Sequence, residues 1–196
     1  GKDCGCSETG VAWVSDQIDR TKLSSLNTKG NHGVDACLRP MCEAQDPTRW
    51  LETDGDEQAI VHVPFKEGVS IRSIGIGSFG EATPRTIKLF ANQEVGDFDE
   101  VEEMDADEEF EMPVPESAGE IFERELASDV FRQAVRSVTV FVEDNHGADT
   151  TKIGWLGFKG ERANIKFGIV EGAEYETRPE GAYFEGGMVA DKERML

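Results

Sequence analysis

The chain has 196 residues, 38% of them hydrophobic, with 40 acidic side chains against 20 basic ones and a net charge of −20. That length fits one domain plus tails, while so acidic a surface repels phosphate backbones and favours protein partners with basic patches over nucleic acid. No run of about 18 apolar residues is present, so no membrane span is expected, and the visible start has no signal-peptide pattern.

In chain order, residues 1–15 are expected to form a flexible N-terminal segment, small and polar up to Gly10. Val11, Trp13, Val14, Ile18, Leu23 and Leu26 then stand among polar residues, which predicts a short helical turn folded onto the main body. Thr28 to Pro47 reads as loop, with Gly30, Gly33, Pro40 and Pro47 as breakers. An acidic knot around Asp54, Asp56 and Glu57 leads into three apolar, β-branched runs. In the first, Gln58 to Phe65, one face carries Ala59, Val61, Val63 and Phe65, and the other Ile60 and His62. In the second, Val69 and Ile71 share a face, whereas Ile74 and Ile76 share the opposite one. That change of parity near Arg72-Ser73 predicts a bulge or bend of the kind that turns a sandwich corner. Ile87, Leu89 and Ala91 form the inward set of the third run.

Glu94 to Glu111 interrupts the pattern: 11 of its 18 residues are Asp or Glu and none is Lys or Arg. Such charge density resists packing, so residues 94–111 are expected to be a solvated, mobile insertion, tethered at most by Val101, Met104 and Phe110. Phe110 and Met112, then Ile121, Phe122 and Leu126, predict a shorter pair of strands. Val138, Val140 and Val142 alternate with Ser137, Thr139 and Phe141, and Ile153, Trp155, Leu156 and Phe158 give bulk to a last strand from Lys152 to Lys159. The expected fold is all-β, a jelly-roll-like β-sandwich of about eight mostly antiparallel strands with little helix. It would occupy residues 16–162 and be followed by a C-terminal extension, 163–196.

The chemical patterns in the sequence are weak. Gly75-Ile-Gly77-Ser-Phe-Gly80 matches the dinucleotide fingerprint, but a strand rather than a helix follows, so a glycine-rich hairpin connection is expected instead. Counting an EF-hand loop from Asp54 puts Ala59 at the glycine position and Phe65 at the glutamate position, so these acids are read as pinning a turn. Cys4, Cys6, Cys37 and Cys42 are too few and unevenly placed for a disulfide scaffold and predict a reduced, intracellular setting. With His32 they hold enough soft ligands for zinc, but only Cys37 and Cys42 have a common zinc-finger spacing, and solvent-exposed thiols with one buried cysteine are the plainer reading. No cofactor or metal is expected, and no nucleophile–base pair points to catalysis.

Several strings, in order, carry a family resemblance. L-S-S-L-N at Leu23 to Asn27 is followed by Cys37-Leu38, by W-L-E-T-D-G-D-E-Q at Trp50 to Gln58, and by I-K-L-F-A-N at Ile87 to Asn92. Phe98-Asp99 comes next, then V-T-V-F-V-E-D-N-H-G-A-D-T-T-K-I at Val138 to Ile153. Over Leu23 to Glu161 the chain resembles the PITH domain, the C-terminal proteasome-interacting module of a thioredoxin-like protein, which also occurs in stand-alone PITH domain-containing proteins. The resemblance implies a non-catalytic module that associates with the 26S proteasome through its regulatory particle, in the cytoplasm and also the nucleus. The family's thioredoxin domain is absent from this chain. Loops at the ends of a rigid scaffold often carry function, so Asp54, Asp56, Glu57, Asn145, His146 and Asp149 are the expected partner contacts. Two other readings stay open: a small-ligand or carbohydrate-binding sandwich using Trp13, Trp50 or Trp155 as platforms, and a thiol redox accessory protein.

Overall fold

The structure, a computed structural model, describes residues 10–163. Its strands are β1 (Ala12–Trp13), β2 (Ser24–Leu26), β3 (Leu51–Glu52), β4 (Ala59–Gly77), β5 (Thr86–Ala91), β6 (Glu108–Glu111), β7 (Ile121–Glu125), β8 (Val135–Val142), β9 (Lys152–Ile153) and β10 (Trp155–Arg162). The α-helices among the described residues are short, α1 (Val34–Cys37) and α2 (Phe98–Glu103). Most of both predicted tails, residues 1–9 and 164–196, lies outside the described residues.

The expected all-β sandwich is present, and β4 explains its shape. The first half of this 19-residue strand pairs with β2 and β8, and its second half with β7 and β10. One layer therefore runs β2–β4–β8–β5–β6 and the other β7–β4–β10–β1, all antiparallel. The expectation of two separate strands, Gln58 to Phe65 and Val69 onward, is thus corrected. β8 advances from Ser137 to Val135 while β4 advances from Pro64 to Val69, so the surplus residues bow outward and the strand turns without leaving its partner.

The bulge expected at Arg72 is found. Ser73 faces Lys159 and Ile71 faces Gly160, which leaves Arg72 as the extra, solvent-exposed residue. That single insertion lets Val69, Ile71, Ile74 and Ile76 all enter the core despite their opposite parity. The predicted hairpin at Gly75 to Gly80 is not found, because the segment after β4 crosses to the other layer, where β5 pairs with β8 and β6. The glycines serve packing instead. A Cβ on Gly75 would lie 2.7 Å from both Trp13 and Trp155, and one on Gly157 2.2 Å from Trp155. These two missing side chains make room for two indoles packed edge to face at 4.9 Å.

The acidic segment differs most from expectation. Its α2 lies over the outer face of the first layer, where Val95 and Val101 bury against Ile60, Phe90 and Phe141, with Phe98, Met104 and Ala106 around them. The Asp97 carboxylate caps α2 by accepting from the Glu100 N–H at 2.7 Å, and Glu100 accepts in return from the Gly96 N–H at 3.2 Å. Asp107 accepts from the Ala91 N–H, and buried Glu108 accepts from the N–H groups of Ala127 and Ser128. These acids hold backbone in place, and β6 pairs with β5. Val101→Ala should therefore cost about 1–3 kcal/mol, and those amides of Glu108–Glu111 that point to β5 should exchange slowly in deuterium oxide. Fast exchange throughout residues 94–111 would contradict this packing.

Candidate functional site

The loops that precede β4 and follow β8 meet at one end of the sandwich, because Ala59 and Val142 are cross-strand partners. Thr151 straps them together: its N–H donates to Thr53 Oγ1 at 2.9 Å and its hydroxyl to the Glu57 carbonyl at 2.6 Å. Thr53 in turn donates through its N–H to the Thr151 carbonyl at 3.0 Å. Thr53 and Thr151 are both fully buried. From the other side Asn27, held at a φ of 56°, donates to Asp56 Oδ1 and to the Gln58 carbonyl, both at 2.7 Å.

A cleft of about 520 Å³ opens between these loops. Of the predicted contacts, Asp56, Glu57, Asn145 and Asp149 line it, joined by Arg85 and Asp144, which sequence reasoning did not single out. Asp54 and His146 do not line it. Glu57 and Asp149 are exposed. Asn145 is 7% exposed, and its side chain serves the turn, accepting from the N–H groups of Gly147 and Ala148 and donating to the Ala148 carbonyl. Asp56 is exposed but also shapes the turn, accepting from the Gln58 N–H at 3.0 Å. Burial alone would raise the pKa of Asp144, but hydrogen bonds from Thr86 and Arg85 outweigh it and hold the carboxyl below the usual carboxylate range. Arg85 is thereby committed to an ion pair, and the cleft keeps an acidic rim.

Beside the cleft stands an aromatic and ionic cluster. Trp50 stacks on His32 with ring centroids 4.2 Å apart and tilts against Phe79 at 5.5 Å. Its Nε1–H donates to Glu52 Oε2 at 3.1 Å, and Lys29 meets Glu52 Oε1 at 2.5 Å. Lys152 sits 5.7 Å from the Trp50 ring centroid. Trp13 and Trp155 pack on each other, and the buried Trp155 donates to the Arg39 carbonyl at 2.8 Å. Each tryptophan is thus occupied by its own neighbours. Cys37 is fully buried, and burial pushes its thiol up to about 12, far from an activated nucleophile. Cys42 is exposed but disulfide-bonded, which corrects the expectation of a free thiol there, and Cys4 and Cys6 lie outside the described residues. No group of three His, Cys, Asp or Glu side chains suited to a metal ion occurs among the described residues, nor any helix long and apolar enough to cross a membrane.

The family model described as "PITH domain" matches residues 6–179, a longer stretch than the strings quoted above. PITH domain-containing protein 1 of Homo sapiens is 28% identical over 163 residues, covering 82% of this chain and 75% of that protein. A PITH domain-containing protein of Schizosaccharomyces pombe is 31% identical over 151 residues, covering 76% and 72%. Among solved structures, the family 32 CBM from C. perfringens NanJ, in complex with galactose, superposes with a TM-score of 0.50 at 10% identity, covering 76% of this chain and 98% of that one. The fucolectin from Morone saxatilis serum gives a TM-score of 0.51 at 13% identity, over 78% and 50%. Likeness at these identities shows the fold and carries no statement about ligand.

Proposed function

This chain belongs to the PITH domain family, and from that membership we propose that it docks on the 26S proteasome, at the regulatory particle, without performing chemistry on a substrate. The family supports a protein-binding module; the proteasome as partner, and cytoplasmic and nuclear residence with it, are the finer part of the proposal. One observation carries the choice of surface. Two of the strings that carry the resemblance, Trp50 to Gln58 and Gly147 to Lys152, fold against each other through Thr53 and Thr151 and present Glu57 and Asp149 to solvent. Polar and threonine-rich sequence is spent on fixing two loops relative to each other, as a recognition surface on a rigid scaffold requires.

The test is capture of proteasomes by the tagged full chain at low salt. Reversing both exposed charges, Glu57→Lys with Asp149→Lys, should reduce recovery by about tenfold while the melting temperature stays unchanged. Asp56→Lys should lower recovery and melting temperature together, because Asp56 also accepts from Asn27 and Gln58. Full recovery with the double reversal would remove this surface from the proposal.

A further inference from the structure

A second cleft, about 480 Å³, lies at the same end of the sandwich between the Ala44–Pro47 segment, Phe79 and the turn leading into β7. Its two walls each bring a carboxylate, Asp46 and Glu120, and no Lys, Arg or His lines it. Phe79, Pro47 and Ile121 supply apolar surface between them. We propose that this cleft takes an arginine side chain of a protein partner, with the guanidinium between Asp46 and Glu120 and its stem on Phe79 and Pro47.

Both walls are fixed in advance. Behind the first, the buried Arg39 guanidinium donates to the Ala44 and Asp46 carbonyls at 3.2 and 3.3 Å. On the second, the Ser78 N–H donates to the Glu120 carbonyl at 2.8 Å and the Ser78 hydroxyl to the Ser117 carbonyl at 2.9 Å. The Gly119 N–H closes the turn on the Ser78 carbonyl at 3.3 Å, and Gly119 stands at a φ of 84°, where a side chain would be strained. A site that need not be ordered on binding keeps more of its interaction energy as affinity. Its volume falls within the range of about 300–1,000 Å³ common to pre-formed ligand pockets.

The chemistry favours guanidinium over ammonium. A planar fork of donors can bridge two separated carboxylates and stack on a ring, whereas an ammonium is a compact, strongly hydrated point charge. Phe79 already accepts a cation, since Lys152 Nζ lies 5.3 Å from its centroid, and Glu52, 3.9 Å from that nitrogen, balances the charge. The chain's net charge of −20 draws cationic partners towards this surface. The site is defined by its own chemistry and does not depend on which assembly supplies the arginine.

The experiment is an NMR titration of the isotope-labelled full chain with N-acetyl-arginine methylamide. Saturable shifts are expected for the amides of Ser78, Phe79, Gly119, Glu120 and Gly154. The citrulline analogue, isosteric but neutral, and the lysine analogue should each bind about tenfold more weakly, and Glu120→Gln should weaken arginine binding by a similar factor. Shifts that never saturate, that map to the acidic helix α2 instead, or that are equal for arginine, lysine and citrulline would overturn the proposal. Because Glu120 is exposed, unchanged shifts elsewhere in the variant will establish that it is folded.

Discussion

Replacing Arg39 with methionine should destabilise the domain by about 3–5 kcal/mol, the magnitude expected when a buried charged group is removed from partners that stay buried. Arg39 is only 2% exposed, yet its bonds run to backbone carbonyls and to no carboxylate. The guanidinium donates to the carbonyls of Ala36, Glu43, Ala44, Asp46 and Arg49, and so gathers a loop with little regular structure of its own. Methionine fills similar space but leaves those carbonyls without their donor. Arg39→Lys should fail nearly as badly, because an ammonium has three donors and cannot match the fork. The Arg39 carbonyl also receives the Trp155 indole N–H, so loss of the loop should appear in tryptophan fluorescence as well as in urea unfolding. A loss below about 1 kcal/mol would mean that water replaces the guanidinium with ease, and would contradict this role.

Val140→Asp should leave no folded population at room temperature. Val140 is fully buried in β8, with Val61 of β4 and Leu89 of β5 as its cross-strand partners, both fully buried and aliphatic. A carboxylate there either stays charged without a partner or takes up a proton, and each course costs several kcal/mol against a total stability of about 5–15 kcal/mol. Val140→Thr, nearly isosteric, should cost only about 1–3 kcal/mol for its buried hydroxyl and remain folded. Circular dichroism distinguishes the two variants. A folded Val140→Asp protein with an unchanged melting temperature would show that β8 is not central to the core.

Where the sequence was legible, a simple period was the reason. Alternation marked the inward faces of β4, β5 and β8, and one parity change sufficed to locate the bulge at Arg72, because a slip of one residue moves a side chain to the opposite face. The long-range relations were not legible. No local signal says that Gly75, Gly77 and Gly157 make room for Trp13 and Trp155, which come from other parts of the chain. Nor does a lone arginine in a glycine- and proline-broken loop reveal that it will be buried among carbonyls.

The order of the acidic segment is hidden for a different reason. Its charge density masks two local signals, for Asp97-x-x-Glu100 is a capping pattern and Phe98, Val101 and Met104 recur at helical spacing. The outward-pointing Ile60 and Phe141, read as the second face of their strands, needed a cover, and this segment supplies it. At the candidate site, the sequence identified both loops but not the division of labour within them. Asn145 and Thr151 hold the turn together, whereas Glu57 and Asp149 are exposed to solvent. Which side chain takes which part depends on hydrogen bonds between residues almost a hundred positions apart, such as Thr53 and Thr151.

The most direct measurement is binding of the purified, folded chain to purified 26S proteasome, with the 20S core particle as the control. The account predicts association with the 26S particle and none with the core alone, at a rate that falls steeply as salt rises from about 50 to 200 mM, because so acidic a domain is steered by basic patches over about a Debye length. A folded chain that shows no association with the 26S particle at low salt would contradict it.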